Sequence, residues 1–186
     1  MKKLKWILLV FVALVALFVF VGMPYMKDQT KKHSPQVTNS YTKNGFDLSV
    51  NYSSPSKKDR VIFGELVPYD VVWRTGANEP TTFTTATAIK IIDKGLPAGT
   101  YSFWTKPGAD SWQVIFNEEI PDWGVTILSG GKETTRNMEA DVVVIEVPSE
   151  RITGIQEKLN INFEDDEMLF LTLSWDQTKI KVPISK

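Results

Sequence analysis

Hydrophobic residues recur along this chain with two different periods, and the change of period divides it. Residues Trp6 to Met23 form one unbroken apolar run of 18 without a charge. As a helix it would span about 27 Å at 1.5 Å per residue, close to the hydrocarbon thickness of a bilayer. Beyond it a period of two takes over. Phe46, Leu48, Val50 and Tyr52 alternate with Asp47, Ser49 and Asn51, and Leu159, Ile161 and Phe163 alternate with Asn160, Asn162 and Glu164. Leu169, Leu171, Leu173 and Trp175 share one parity, and Ile180, Val182 and Ile184 alternate with Lys179 and Lys181. Such alternation puts one face of each strand into a core. Val142 to Val147 is apolar on both parities, the pattern of a central strand.

Turn chemistry falls between these runs, at Asn44-Gly45, Asp93-Lys94-Gly95, Pro107-Gly108 and Gly130-Gly131. The last three runs lie close together and predict an antiparallel meander that reverses at Asp176-Gln177. No stretch of 12 residues beyond the apolar run keeps a 3.6-residue period between helix caps. The pattern predicts an all-β fold, an antiparallel β-sandwich or jelly-roll-like domain preceded by one N-terminal transmembrane helix. Residues 1–25 are read as the anchor, 26–36 as a polar linker and 37–186 as the β-sandwich domain.

A cleavable signal peptide is the competing reading of the apolar run. Its apolar core is usually 7–15 residues and ends in small residues. Here the C-terminal flank reads F-V-F-V-G-M-P-Y-M, without an A-x-A pattern. The expectation is an uncleaved anchor. Lys2, Lys3 and Lys5 set the N-terminus in the cytoplasm, which leaves the folded domain outside it, periplasmic or extracellular.

Composition narrows the chemistry. With 42% apolar and 23% charged residues the chain resembles an ordinary globular protein, not a disordered one. It has no cysteine, which removes disulfides, thiolate metal sites and cysteine nucleophiles. Its one histidine, His33, sits in the polar linker. The domain therefore has no raw material for a Ser-His-Asp triad or histidine-bound zinc, and no metal or cofactor is expected. From Ser34 to Lys186 there are 15 Lys and Arg against 21 Asp and Glu, a net charge of −6. An acidic domain without a basic run repels phosphate backbones, so nucleic acid is not an expected partner.

The stretch from Tyr52 to Thr82, Y-S-S-P-S-K-K-D-R-V-I-F-G-E-L-V-P-Y-D-V-V-W-R-T-G-A-N-E-P-T-T, carries a long and unusual run, V-W-R-T-G-A-N-E. L-P-A-G-T-Y at Leu96 to Tyr101, W-Q-V-I-F-N at Trp112 to Asn117, and Trp123-Gly124 add to it. Together they resemble the domain of unknown function 2911 family of uncharacterised bacterial proteins, over Ser34 to Ile184. The resemblance implies a fold and a secreted or membrane-anchored location, and no reaction. Three positions depart from the family pattern. Ser54 stands where an arginine is usual, Asp70 where a glycine is usual, and Pro80 where an alanine is usual.

One constellation is dense enough to carry chemistry. Arg60, Tyr69, Trp73, Arg74, Asn78 and Glu79 lie within 20 residues of a loop-like segment. Arg74 could offer a planar fork to a carboxylate or phosphate, while Trp73 and Tyr69 could stack on a sugar ring. Gly76 would let the backbone turn Asn78 and Glu79 back over Arg74. The alternative is structural, with Arg74 paired to Glu79, Trp73 in the core, and the loop satisfying its own carbonyls. Glu118, Glu119 and Asp122 are the weaker candidates for paired catalytic carboxylates. Asp165-Asp166-Glu167 reads as a hairpin turn and not as a calcium loop. Among the tryptophans, Trp112 and Trp123 read as core, and Trp104, on the parity of Ser102 and Lys106, as the one exposed. Three functions stay open. The favoured one is a non-enzymatic module binding a small anionic or glycan ligand or an envelope protein. A carboxylate-dependent hydrolase of envelope glycans and a purely structural envelope domain are the others.

Overall fold

The structure, a computed structural model, describes residues 2–126, 129 and 133–186. The chain divides into two compact units, Met1–His33 and Ser34–Lys186. The first is helical. Helix α1 (Lys2–Leu17) passes through a π-helical turn at Phe18–Gly22 into α2 (Met23–His33), so the polar residues after the apolar run stay helical as far as His33. The helix is long and apolar enough to cross a membrane, with a mean hydropathy of 3.0 over 18 residues. Its large apolar side chains are exposed, Trp6 and Phe20 at 70% and 78%. A helix apolar all round is the pattern of a membrane anchor or of a signal sequence.

The second unit is all β, as the alternation predicts. Its strands are β1 (Gln36–Tyr41), β2 (Leu48–Ser53), β3 (Thr81–Thr85), β4 (Ile89–Ile91), β5 (Lys94–Leu96), β6 (Gly99–Pro107), β7 (Ser111–Asn117), β8 (Asp141–Asp165) and β9 (Leu169–Ser185). They are ordered β1-β2-β3-β6-β7-β8-β9-β4-β5, and every pairing is antiparallel. Strand β8 joins two arms of this sheet. Its first part pairs with β7 and its second with β9, with register shifts between Arg151, Gln156 and Asn160. Val50, Phe83, Phe103 and Phe116 from one arm share a single core with Ile161, Leu171, Leu173 and Val182 from the other.

Several turns follow their sequence signals. Asn44 and Gly45 take φ of 53° and 76° between β1 and β2, the left-handed pair that an Asn-Gly hairpin supplies. Pro107-Gly108 turns β6 into β7, and residues 166–168 turn β8 into β9. The Gly130-Gly131 signal lies outside the described residues.

Two expectations are corrected. No reversal occurs at Asp176-Gln177, because β9 runs straight through it for 17 residues. Asp176 takes φ of 55° within the continuous strand, the residues on both sides of it pair with β8, and the extra residues lie on β8 between Arg151 and Asn160. This is bulge behaviour, which bends a strand without ending it. Trp104, expected at the surface, is fully buried. Its parity puts it on the face opposite Tyr101 and Phe103, but that position is enclosed: its indole N–H donates to Ser102 Oγ at 2.8 Å, and the Ser102 hydroxyl donates to the Glu119 carbonyl at 2.6 Å.

Candidate functional site

The long connection from β2 to β3 contains all six candidate residues, and the fold distributes them. At its middle the chain runs beside β6, where Trp73 and Thr105 exchange backbone hydrogen bonds of 2.7 and 3.0 Å. Residues adjacent in an extended segment point to opposite faces. Trp73 accordingly enters the core, stacked on Trp175 at 6.0 Å between ring centres and edge-on to Phe63. Its indole N–H donates to the Gly76 carbonyl at 3.0 Å, which fills its one polar need. Arg74 falls on the other face.

Residues 74–80 then loop out and return to β3. Thr81 closes the loop twice, its N–H donating to the Arg74 carbonyl at 3.2 Å and its hydroxyl to the Thr75 carbonyl at 2.6 Å. Inside it Thr75 and Asn78 hold φ of 57° and 62°. For a β-branched residue such as Thr75 that is a strained conformation, and strain of this kind persists only where the surroundings over-determine it. Thr75 is fully buried, and its hydroxyl meets Thr105 Oγ1 at 3.0 Å. Gly76 is required by proximity, since a Cβ there would lie 3.0 Å from the Ser53 carbonyl oxygen.

Over this loop lies the connection from β7 to β8. Gly124 donates its N–H to the Asn78 carbonyl at 3.4 Å, and a Cβ on Gly124 would sit 2.3 Å from Arg74 Cδ. The Arg74 stem therefore occupies the space that a side chain at position 124 would need. Asn117, fully buried at the base of the connection, holds both of its ends. Its amide donates to the Asn137 carbonyl at 2.6 Å and to Asp141 at 2.8 Å, and its oxygen accepts from the Glu119 N–H at 2.9 Å. An ion pair between Arg136 and Asp141 braces the same base.

Within this setting Arg74 is half-buried, and its Nε is enclosed without an acceptor among the described residues. Burial lowers its pKa from the ordinary arginine value. A guanidinium keeps its charge even so, and a buried charge without a partner is unfavourable. Asn78 is only 7% exposed, and its Nδ2 likewise lacks an acceptor among the described residues. The loop thus encloses two N–H donors, Arg74 Nε and Asn78 Nδ2, that meet no acceptor among the described residues. Glu79 is half-buried in the same loop.

The other candidates sit elsewhere. Arg60 is exposed and braces its own turn, donating to the carbonyls of Lys57 and Ser56. Tyr69 is 43% exposed, beside Phe63 and Gly64 in a separate cleft. Glu118 and Asp122 are exposed, while Glu119 accepts from the Asn137 amide at 2.9 Å. Ser54, where the family pattern expects an arginine, is buried and donates to the Leu159 carbonyl at 2.7 Å. Sequence reading missed Gly124 and Asn117 as parts of the site. Trp123-Gly124 was visible as a motif, but nothing local tied it to a residue 50 positions away.

An antiparallel β domain behind a helix able to cross a membrane, with a strained arginine loop clamped under a second loop, defines the class of protein. The chain belongs to the family described as protein of unknown function (DUF2911), whose profile matches residues 34–184, nearly the whole β unit. No curated protein and no solved structure is significantly similar to it.

Proposed function

We propose that this chain is a non-enzymatic binding module, held at a membrane by an uncleaved N-terminal anchor with its β domain outside the cytoplasm. Its ligand carries a small anionic group, a carboxylate or a phosphate, which Arg74 grips. One observation supports the reading above the others. The Arg74 side chain is partly desolvated and its stem packs on Gly124, yet no acceptor among the described residues meets its Nε. A charge held in that way has paid its desolvation in advance, so an incoming anion meets a donor that needs little reorganisation. Asn78 Nδ2, buried and equally unmet, adds a neutral donor from the same loop. The absence of cysteine from the chain, and of histidine from residues 34–186, weighs against the commonest catalytic machinery.

Thermal unfolding of the full chain in detergent tests this, with phosphate, acetate and succinate as probes. A ligand at 100 times its dissociation constant adds about 2.7 kcal/mol, roughly 5–10 °C for a domain of this size. The expected result is such a shift for at least one anion, lost in Arg74→Lys, which keeps the charge but not the fork. No shift with any of the three, or an equal shift in Arg74→Ala, overturns the reading.

A further inference from the structure

Away from the Arg74 loop, the β unit has a cleft of about 380 Å³ walled by Phe63, Tyr69, Asp110, Glu150, Arg151 and Gln177. That volume lies within the range of small-molecule sites. We propose that this cleft binds a neutral carbohydrate, with Tyr69 as the stacking face and the planar polar side chains around it reading ring hydroxyls.

The walls are preformed. The β6–β7 turn is tied to β8 by Ser149, whose N–H donates to the Asp110 carbonyl at 2.9 Å and whose hydroxyl donates to the Ala109 carbonyl at 3.0 Å. On the opposite wall Asp176 holds its left-handed backbone in β9, opposite the bulged stretch of β8 that begins after Arg151, and pairs with Lys57 at 3.6 Å. Bulges of this kind re-aim side chains and gather beside sites. Beneath the cleft Phe63 packs edge-on against the buried Trp112, ring centres 4.7 Å apart, which fixes the floor.

The chemistry of the lining selects the ligand class. The Asp176 charge is matched by Lys57, so Asp110 and Glu150 stand against one Arg151, a net charge of −1. That disfavours the anions assigned to Arg74 and supplies too little charge to demand a cation. Carboxylates accept from hydroxyls, while Arg151, one of whose nitrogens already donates to Gln177 Oε1 at 2.9 Å, keeps further donors for hydroxyl oxygens. A 43% exposed tyrosine ring beside such a mixed set suits the apolar face of a pyranose.

Saturation-transfer difference NMR on the full chain in detergent, with glucose, galactose, N-acetylglucosamine and maltose as probes, tests the assignment. At least one neutral sugar should show ring-proton saturation, and Tyr69→Ala should weaken its binding about tenfold. Asp110→Asn, at an exposed position, should also weaken binding. Arg74→Lys should not, which separates this site from the anion site. The proposal is overturned if no neutral sugar binds, if glucosamine alone binds through its ammonium group, or if Tyr69→Ala binds as tightly as the native chain.

Discussion

Replacing Gly124 with alanine tests whether the two loops are held together as described. The new Cβ would stand 2.3 Å from Arg74 Cδ, 2.8 Å from its Cβ and 3.1 Å from its Cγ. Carbon atoms pack best at about 3.5–4.0 Å. Rotating the arginine moves Cδ and Cγ away, but its Cβ is fixed by the backbone, so the β7–β8 connection must lift. Its two hydrogen bonds at Gly124, to the Asn78 carbonyl and from the Thr135 N–H, are already 3.4 Å long and would break first. Overpacking costs about 1–3 kcal/mol and each lost hydrogen bond about 1, which gives an expected loss of about 2–4 kcal/mol. Thermal unfolding in detergent would read this as a fall of roughly 4–16 °C.

Arginine variants make the test specific. Arg74→Ala alone strands no hydrogen-bond partner and should change stability by less than about 1 kcal/mol, because lost packing and a removed buried charge oppose each other. Combined with Gly124→Ala it removes the 2.3 Å contact but keeps the one at 2.8 Å. The pair should therefore be less destabilised than the sum of the singles, with a coupling of about 1 kcal/mol, within the usual range for touching residues. A Gly124→Ala chain as stable as the native one, or a pair that is simply additive, would refute the packing of Arg74 under Gly124.

Other consequences follow from the same structure. Asn117→Ala should lose about 3 kcal/mol in urea titration, at about 1 per hydrogen bond, and loosen the connection over Arg74. In alkali the β domain should weaken from about pH 10 upward. The hydrogen bond to Asp165 raises the Tyr41 pKa and burial raises that of Tyr52, both from 10.0. Above pH 10 the unfolded phenols release protons that the folded ones retain, so stability present below that pH is lost as pH climbs. Tyr41→Phe should flatten that fall in a melting-temperature series between pH 8 and 12, and an unchanged slope would count against the Tyr41 contribution. The full chain should stay with membranes through carbonate extraction, whereas a soluble form beginning near Tyr25 would show that the helix is a cleaved signal.

Much of the fold could be read from alternation alone, because every buried strand face must be apolar at every second residue. The reading faltered where the strands are long. β8 and β9 run for 25 and 17 residues, and their polar middles, such as Ser149 to Lys158, broke the apolar rhythm that defines a strand. Backbone pairing carries them through that gap, and pairing leaves no mark on side-chain polarity. The turn assigned to Asp176-Gln177 failed for a related reason. Aspartate tolerates a left-handed φ in a turn and opposite a partner's bulge alike, and only the partner strand decides between them.

The candidate site was legible as a list of residues and not as an arrangement. Six polar and aromatic residues in a row look like one cluster, but an extended backbone sends neighbours to opposite faces, so Trp73 fills the core and Arg74 does not. Trp104 shows the same limit from the other side. Its parity puts it opposite Tyr101 and Phe103, but whether that position meets water depends on contacts such as that of Ser102 with Glu119. The contact of Arg74 with the β7–β8 connection was equally out of reach of local sequence. Arg74 packs its stem against Gly124, a residue with no side chain to advertise the contact. A structural arginine would be expected to end on an acceptor, since enclosing an unpaired guanidinium is unfavourable and evolution can relieve it with a single carboxylate or carbonyl. Here the loop is strained at Thr75, closed by Thr81 and covered at Gly124, and that scaffolding holds the side chain where Nε meets no acceptor among the described residues. Rigid support around a donor that meets no described acceptor is what a binding site needs and what a structural brace does not, and the anion reading proposed for this loop rests on that contrast.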